Sequence, residues 1–445
     1  MSLPDRFLFL AIAIAVCGCR PAMTSADVSY QVMTVVQETN TANPPTPMLE
    51  FVGRNSCSAT ACHGRPQSTP VSWRNAYQLW EATDPHRRAF DVLYTERSVR
   101  MYRLLHRVEE SSEPIEEKVY LQFLEKNCIG CHATPPQTTA AGSFVQQPSA
   151  EVYWQGVSCE SCHGPASHWL GTHYAKTWPE SSAPGRANLT ANGFQDMRLL
   201  EQRAETCLQC HHGPKRIGDE TYDVNHDLLA AGHPRLKFEL HAYLANLPKH
   251  WNEAAEIKRQ ASSPADAFHF NTWRAGQTAL AAQDKRLKQA RAKSADKSDL
   301  SEWAEFANHD CRHCHHVPAE SNFRLTFSKQ VGPPPNLFQN VPLTPTISQR
   351  ATVLLRLLGQ ARKQNSASLL PSSDQGVDIY LAAAAFANDF PNQPPFTDLA
   401  RMDQLLAAQA GKTQYDLPGN FNPEEPELKQ ALSELQQTLE QLARP

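Results

Sequence analysis

The sequence predicts a mainly α, loop-rich fold packed around bound groups, with a helical extension at its C-terminal end. Three observations lead to that expectation. Five Cys…Cys-His units are spread between Cys57 and His315. Only 41% of the residues are hydrophobic and 33 are Pro, which favours short helices and ordered loops over a continuous sheet. The clearest periodic segments have helical spacing.

Four of the units are Cys-x-x-Cys-His: Cys128, Cys131 and His132; Cys159, Cys162 and His163; Cys207, Cys210 and His211; Cys311, Cys314 and His315. The fifth is stretched, with four residues between Cys57 and Cys62 before His63. The spacing suits haem c: each thiol forms a thioether to a vinyl group, and the adjoining imidazole turns onto the iron as proximal ligand. Zinc ribbons and thiol redox sites also use Cys-x-x-Cys, but neither needs His directly after the second Cys. The expectation is five covalently attached haem c groups, and a multihaem cytochrome c built around stacked covalent haems. Each macrocycle supplies apolar surface that side chains need not provide.

Cysteine usage supports this. Of 12 Cys, ten lie in the five units, and the other two are Cys17 and Cys19. Arg6 precedes an apolar run from Phe7 to Val16, followed by Cys17-Gly18-Cys19. This pattern fits an export signal of lipoprotein type over residues 1–19, with Cys19 as the lipidated residue. The alternatives are an ordinary signal peptide cut near Ala26 and a short retained membrane helix. All three place the mature domain outside the cytoplasm, in the periplasm or at the cell surface, with membrane contact through the anchor at Cys19. A formal net charge of −4, from 42 basic and 46 acidic residues, gives no basic excess for nucleic acid. The expected partners are redox proteins acting as electron donor and acceptor.

Residues 20–50, with Asn43-Pro44-Pro45-Thr46-Pro47, have the composition of a flexible tether. The cytochrome domain is expected over 51–327, a Pro-rich linker over 328–345 and a helical region over 346–445. Helical periodicity runs from Arg87 to Val108, from Pro234 to Leu247 and from Ala265 to Lys293. In the C-terminal region it covers Ala351 to Lys363, Val377 to Asn388 and Glu427 to Ala443. The proximal histidines are 69, 31, 48 and 104 residues apart by subtraction, so the units are not a tandem array, and the second and third are expected to be close neighbours.

Of 18 His, five are proximal, leaving enough for every iron to take a second imidazole. His86 follows Asp84-Pro85, and His233 precedes Pro234, so both are held by restricted backbone. His168 and His173 lie too soon after His163 to reach the far face of its haem, and would serve a neighbouring one. These four are the candidate distal metal ligands. His226, His241, His309, His313 and His316 are weaker candidates, and His106 and His250 are expected to face solvent.

Residues 51 to 215 resemble the cytochrome c-554 type multihaem family. The resemblance is carried by Phe51-Val52-Gly53, Trp80, Asp84-Pro85-His86-Arg87-Arg88-Ala89-Phe90, the Cys128 unit, and Gly156-Val157-Ser158-Cys159-Glu160-Ser161-Cys162-His163-Gly164-Pro165 followed by His168 and His173. It implies His173 as distal ligand to the first haem and His86 as cap of a later one. The second motif's likeness to the family's points to His132 as the proximal ligand with the least secure partner. This chain departs from the family's usual four haems and regular first motif. The resemblance implies electron transfer, so the expectation is an exported electron carrier with no catalytic residue of its own. The alternative is an oxidoreductase acting on a small nitrogen or sulfur compound at a haem with an open distal face. A third possibility is a lipoprotein using haem only as a core. The Cys-x-x-Cys-Lys motif of pentahaem nitrite reductases is absent.

Overall fold

In a computed structural model, residues 49–66, 73–109, 114–134, 155–174, 192–217, 220–234, 236, 238–260, 267–295, 305–308, 337–342, 345–364, 373–390 and 426–444 are described. Contacts divide the chain at Pro47, and residues from Met48 onward form one unit. Residues 1–47, with the export signal and most of the tether, lie outside the described part, as does the Cys311 unit.

The described chain is helical apart from one hairpin, as the composition predicts. After 3-10 turns at Arg54–Cys57 and Trp73–Asn75, α1 covers Ala76–Thr83 and α2 covers Glu96–His106. Two more 3-10 turns, Pro85–Arg88 and Asp91–Tyr94, separate α1 from α2. The continuous helix expected from Arg87 is therefore broken, for identifiable reasons. Thr95 is extended at the entry of α2, with its hydroxyl donating to the Val92 carbonyl at 2.7 Å. The Ala89 carbonyl is taken by the His132 ring at 2.7 Å. Backbone acceptors that would have closed a helix are diverted to hold a haem-motif histidine.

Helix α3 is Glu117–Asn127 and the short α4 is Ile129–His132. Phe90, Leu93, Tyr102, Tyr120, Leu124 and Ile129 pack as one apolar cluster, which seats α4. The Tyr120 hydroxyl donates to the Leu93 carbonyl at 2.6 Å, so this aromatic is buried without orphaning its polar end. Helix α5, Cys159–His163, is followed by α6, Leu200–His211, whose last turn is itself a Cys-x-x-Cys-His unit.

Strands β1, Lys215–Ile217, and β2, Glu220–Tyr222, form an antiparallel hairpin with Lys215 opposite Tyr222. The hairpin packs on α4: a Cβ at Gly130 would lie 2.4 Å from the Tyr222 ring. Glycine at the second x of that motif is thus a packing requirement. The Tyr222 hydroxyl donates to the Glu125 carbonyl at 2.7 Å and fixes the ring.

Helices α7, His226–Ala230, α8, Leu240–Asn246, and α9, Glu253–Gln260, follow. Periodicity suggested a helix from Pro234, but α8 begins only at Leu240. Glu239 is extended and caps it, its carboxylate accepting from the His241 and Ala242 amides at 2.9 and 2.6 Å. Burial pushes the Glu239 carboxyl up to about 7.

The long helix α10, Phe268–Ala295, matches the expected Ala265–Lys293 segment and is the spine of the second half. It packs along α6 and α8, where Ala204, Leu208, Leu240, Leu244 and Leu280 form a core. Its basic end is partly used internally: Arg291 pairs with Asp223 at 2.6 Å and donates to the Val224 carbonyl.

Helices α11, Ile347–Gln364, α12, Ser373–Asn388, and α13, Pro426–Leu442, agree with the three C-terminal periodic segments. Leu354, Leu358, Ile379, Phe386, Leu432 and Leu435 form their core together with Phe270 and Trp273 of α10. Asp389, just past α12, accepts from the His269 and Phe270 amides at 2.8 and 3.2 Å, capping α10 across 120 residues of chain. Arg350 of α11 binds the same carboxylate at 2.8 Å, with side chains 2% and 0% exposed.

Two predictions follow from this packing. Asp389→Ala leaves a buried guanidinium and two helix amides unpaired, and should cost about 3–5 kcal/mol in chemical denaturation followed by far-UV circular dichroism; a match to wild type would remove the cap's importance. Gly130→Ala forces the fixed Tyr222 ring aside, and should cost about 1–3 kcal/mol and lower haem occupancy on the Cys128–Cys131 peptide, read by peptide mass spectrometry.

Candidate haem site

The three described regular motifs are short helices or helix ends, in which two thiols three residues apart fall on one side. The stretched motif is built differently. Cys57 closes a 3-10 turn, and the two extra residues form a loop in which the Cys62 and Gly64 amides both donate to the Ala59 carbonyl, at 2.8 and 3.0 Å. The insertion is thus taken up locally, and His63 still follows its second thiol.

Glu160, inside the third motif, is 1% exposed. Its carboxylate accepts from the amides of Val52, Gly53 and Ala166 at 2.9, 2.8 and 2.9 Å. It therefore ties the segment leading into the first motif onto the helix of the third. Gly156 has φ +63°, and a Cβ there would lie 2.5 Å from the Arg87 carbonyl oxygen. That close approach lets the Val157 amide donate to the His86 carbonyl at 3.0 Å and sets His86 against the third motif. The Gly-Val-x-Cys-Glu-Ser-Cys-His-Gly-Pro segment is thus a structural clamp as well as an attachment site.

Each described motif histidine faces one other histidine. Ring centres are 6.1 Å apart for His63 and His173, 6.4 Å for His132 and His233, 6.2 Å for His163 and His250, and 6.0 Å for His211 and His86. The interplanar angles range from 14° to 89°, while the separation hardly changes. A metal held at about 2 Å by an imidazole nitrogen on each side, with each nitrogen about 1 Å from its ring centre, separates the centres by about 6 Å. The four pairs have the spacing of two axial ligands on one iron.

The second ring nitrogens agree with this. Nδ1 bonds to the Trp73 carbonyl in His63, Ala89 in His132, Leu170 in His173 and Pro234 in His233, each at 2.7 Å. In His86 it bonds to Asp84 at 2.8 Å. Such a bond fixes the tautomer and leaves Nε2 as the lone-pair donor. Arg97 steadies the peptide before His233 through two hydrogen bonds to the Gly232 carbonyl. Burial pushes His163 down to about 3 and His211 to about 4, and lowers His132, His233 and His250. Those rings are neutral, the form that ligates iron. In His86 burial acts downward too, but the Asp84 carboxylate outweighs it and makes the ring more basic.

Both thiols and the histidine of all four described motifs, with His86, His173, His233 and His250, line one cavity of about 1560 Å³. Single-ligand pockets typically enclose about 300–1,000 Å³, so this void suits several groups side by side. Its wall is mainly apolar, with aromatic rings such as Trp80, Phe123 and Tyr243. The thiols of Cys57 and Cys159 neighbour each other, as do those of Cys131 and Cys210. The thiol contacts couple the first motif with the third and the second with the fourth, while Thr134, two residues past His132, bonds to Ser158 and Ser161 at 2.7 and 3.0 Å, so the second and third motifs are also neighbours, as the 31-residue gap between them suggests. No group of three or more His, Cys, Asp or Glu among the described residues could hold a bare metal ion, which removes the geometry a zinc ribbon needs.

The expected site residues are thus placed as follows. Cys57, Cys62, Cys128, Cys131, Cys159, Cys162, Cys207 and Cys210 meet in one cavity with their histidines, and His86, His173 and His233 each oppose one of them. His168 is exposed and is not on the cavity wall. The partner of His163 is His250, which sequence reasoning set aside as solvent-facing. Its signal was a nearby proline: His250 follows Pro248, as His86 follows Pro85 and His233 precedes Pro234. His132, expected to have the least secure partner, has His233. Cys311, Cys314 and His315 lie outside the described residues, and no described helix is long and apolar enough to cross a membrane.

Comparison with known proteins bears on the same stretch. Residues 56–164 match the family described as Cytochrome c554 and c-prime. A cytochrome c-554 from Nitrosomonas europaea is 25% identical over 163 residues, covering 36% of this chain and 57% of that protein. The chain thus spans little more than half the length of this relative. No solved structure matches. The part of the chain that carries its first three Cys…Cys-His motifs resembles the cytochrome c-554 family.

Proposed function

We propose that this protein is an exported multihaem c-type cytochrome that carries electrons between redox proteins, with five haems attached to its five Cys…Cys-His motifs. The carrying observation is the set of four histidine pairs at 6.0–6.4 Å across one shared cavity. Haem, when bound, supplies a one-electron redox couple, and everything else is the work of the chain. Cys57 and Cys62, Cys128 and Cys131, Cys159 and Cys162, Cys207 and Cys210, and Cys311 and Cys314 would hold the macrocycles. His63, His132, His163, His211 and His315 would supply proximal nitrogens, and His173, His233, His250 and His86 would close the opposite faces of the first four. Two imidazoles on one iron, both held by Nδ1 bonds in the His63–His173 and His132–His233 pairs, would leave no coordination site for a substrate and little rearrangement on electron uptake. The shared cavity and the cross-motif thiol contacts bring neighbouring groups close enough to pass electrons along. In this reading the domain lies outside the cytoplasm, tethered by residues 20–50 to a lipid on Cys19.

The alternative, an oxidoreductase acting on a small nitrogen or sulfur compound, requires an iron with an open face. If the four pairs ligate, that iron belongs to the Cys311 motif.

The test is electron paramagnetic resonance of the oxidised, haem-loaded protein, with haems counted by pyridine haemochrome. Near-parallel axial rings give an ordinary rhombic low-spin signal, and near-perpendicular rings give a highly anisotropic one. The expected spectrum has one rhombic component, from His63 and His173 at 14°, and three anisotropic components, from the pairs at 72°, 87° and 89°. Fewer than four low-spin haems in a fully loaded chain would overturn the reading and direct attention to nitrite or hydroxylamine as substrates. His250→Ala should convert one low-spin haem to high-spin, whereas His168→Ala should leave the spectrum unchanged; the reverse outcome would exchange their roles.

A further inference from the structure

Lys215 is 7% exposed, although the Lys-Arg dipeptide it begins has the composition of a surface. The hairpin explains its burial. Along β1 the pattern is inward, outward, inward, so Arg216 points to solvent while Lys215 and Ile217 point in. Lys215 pairs across the hairpin with Tyr222, whose ring lies on Gly130 of the second motif. The strand that carries Lys215 also packs on α4 and begins only four residues after His211, so the ammonium sits between the second and fourth motifs.

Its Nζ lies 3.5 Å from the Cys210 sulfur, and its charge is felt at Cys131 and Cys162 as well. Lys215 is also on the wall of the haem cavity. Among the described residues no carboxylate forms an ion pair with it, whereas the neighbouring cations Arg198, Arg203 and Arg291 each have one. A buried cation with no carboxylate partner among the described residues is costly and needs compensating negative charge or electron density nearby. Once Cys210 has become a thioether, its sulfur is only a weak acceptor. The charge then acts on the macrocycles attached beside it.

Resting on the haem reading above, we propose that Lys215 is a fixed internal cation that raises the reduction potentials of the haems on the Cys128–His132 and Cys207–His211 motifs, making them the electron-collecting pair of the described four. A unit charge about 10 Å from an added electron, at an effective dielectric near 20, favours the reduced state by roughly tenfold. The effect falls off with distance, so it is largest at the two motifs the strand touches, Cys128–His132 through α4 and Cys207–His211 through Cys210.

The experiment is an optical redox titration of purified haem-loaded wild type, Lys215→Met, Lys215→Gln and Lys215→Arg, after counting haems per chain. Met and Gln should lower the reduction equilibrium constant of two haems by about tenfold, a shift of about 59 mV for one electron. Arg, which keeps the charge, should stay near wild type. Unchanged midpoints in Met and Gln, or an Arg variant displaced as far as Met, would overturn the proposal, the second outcome showing that packing and not charge is responsible. The wild type gives an independent check if the Met and Gln chains lose haem. As the potential is lowered, two of the anisotropic low-spin signals must be reduced before the rhombic signal of the His63 haem, and the opposite order overturns the proposal. A wild-type chain carrying no haem would instead refute the functional reading on which the proposal rests.

Discussion

A histidine ring fixed through Nδ1 to a nearby acceptor is the interaction on which most of the described structure depends. An imidazole can serve iron only if its plane and tautomer are set beforehand, and here a backbone carbonyl or carboxylate does that work. Where the acceptor is a carbonyl, the bond takes it from regular structure. The Ala89 carbonyl is lost to helix formation because it holds His132, and the chain between α1 and α2 breaks into short turns as a result. The loop-rich character of the first half is therefore a condition of the site.

The two halves solve the burial problem by different means. The first half gathers apolar rings and thiols around a cavity, with side-chain cores limited to small groups such as Phe90, Tyr120 and Leu124. The C-terminal helices bury a conventional aliphatic and aromatic core, and they share it with the start of α10 through Phe270 and Trp273. Because α10 also packs along α6, whose last turn is the fourth motif, the conventional core braces the haem-bearing part.

Much of this was legible in the sequence. The motifs name their thiols and proximal histidines directly, and 3.6-residue periodicity located α10 and the three C-terminal helices to within a few residues. His86 and His233 were singled out because proline restricts the backbone beside them, and His173 by its spacing after His163 together with the resemblance to the cytochrome c-554 family. What escaped has physical reasons. His250 sits in a short polar run, its ring edge-on to Trp251, which in turn lies under the Arg203 guanidinium from a helix distant in sequence. The hairpin has strands of three residues, too short for alternation to register, so nothing marked Lys215 as an inward residue. Glu160 appeared only as a letter of its motif, because its three amide partners, Val52, Gly53 and Ala166, lie outside that motif.

The Asp389 cap has a consequence for the order in which the molecule is completed. A chain that emerges N-terminus first presents every haem motif before Asp389 exists. The first turn of α10 takes the partners of its His269 and Phe270 amides from that residue. The C-terminal helices thus hold the carboxylate that closes the first turn of the spine, so the frame behind the fourth motif is complete only when the last part of the chain is in place.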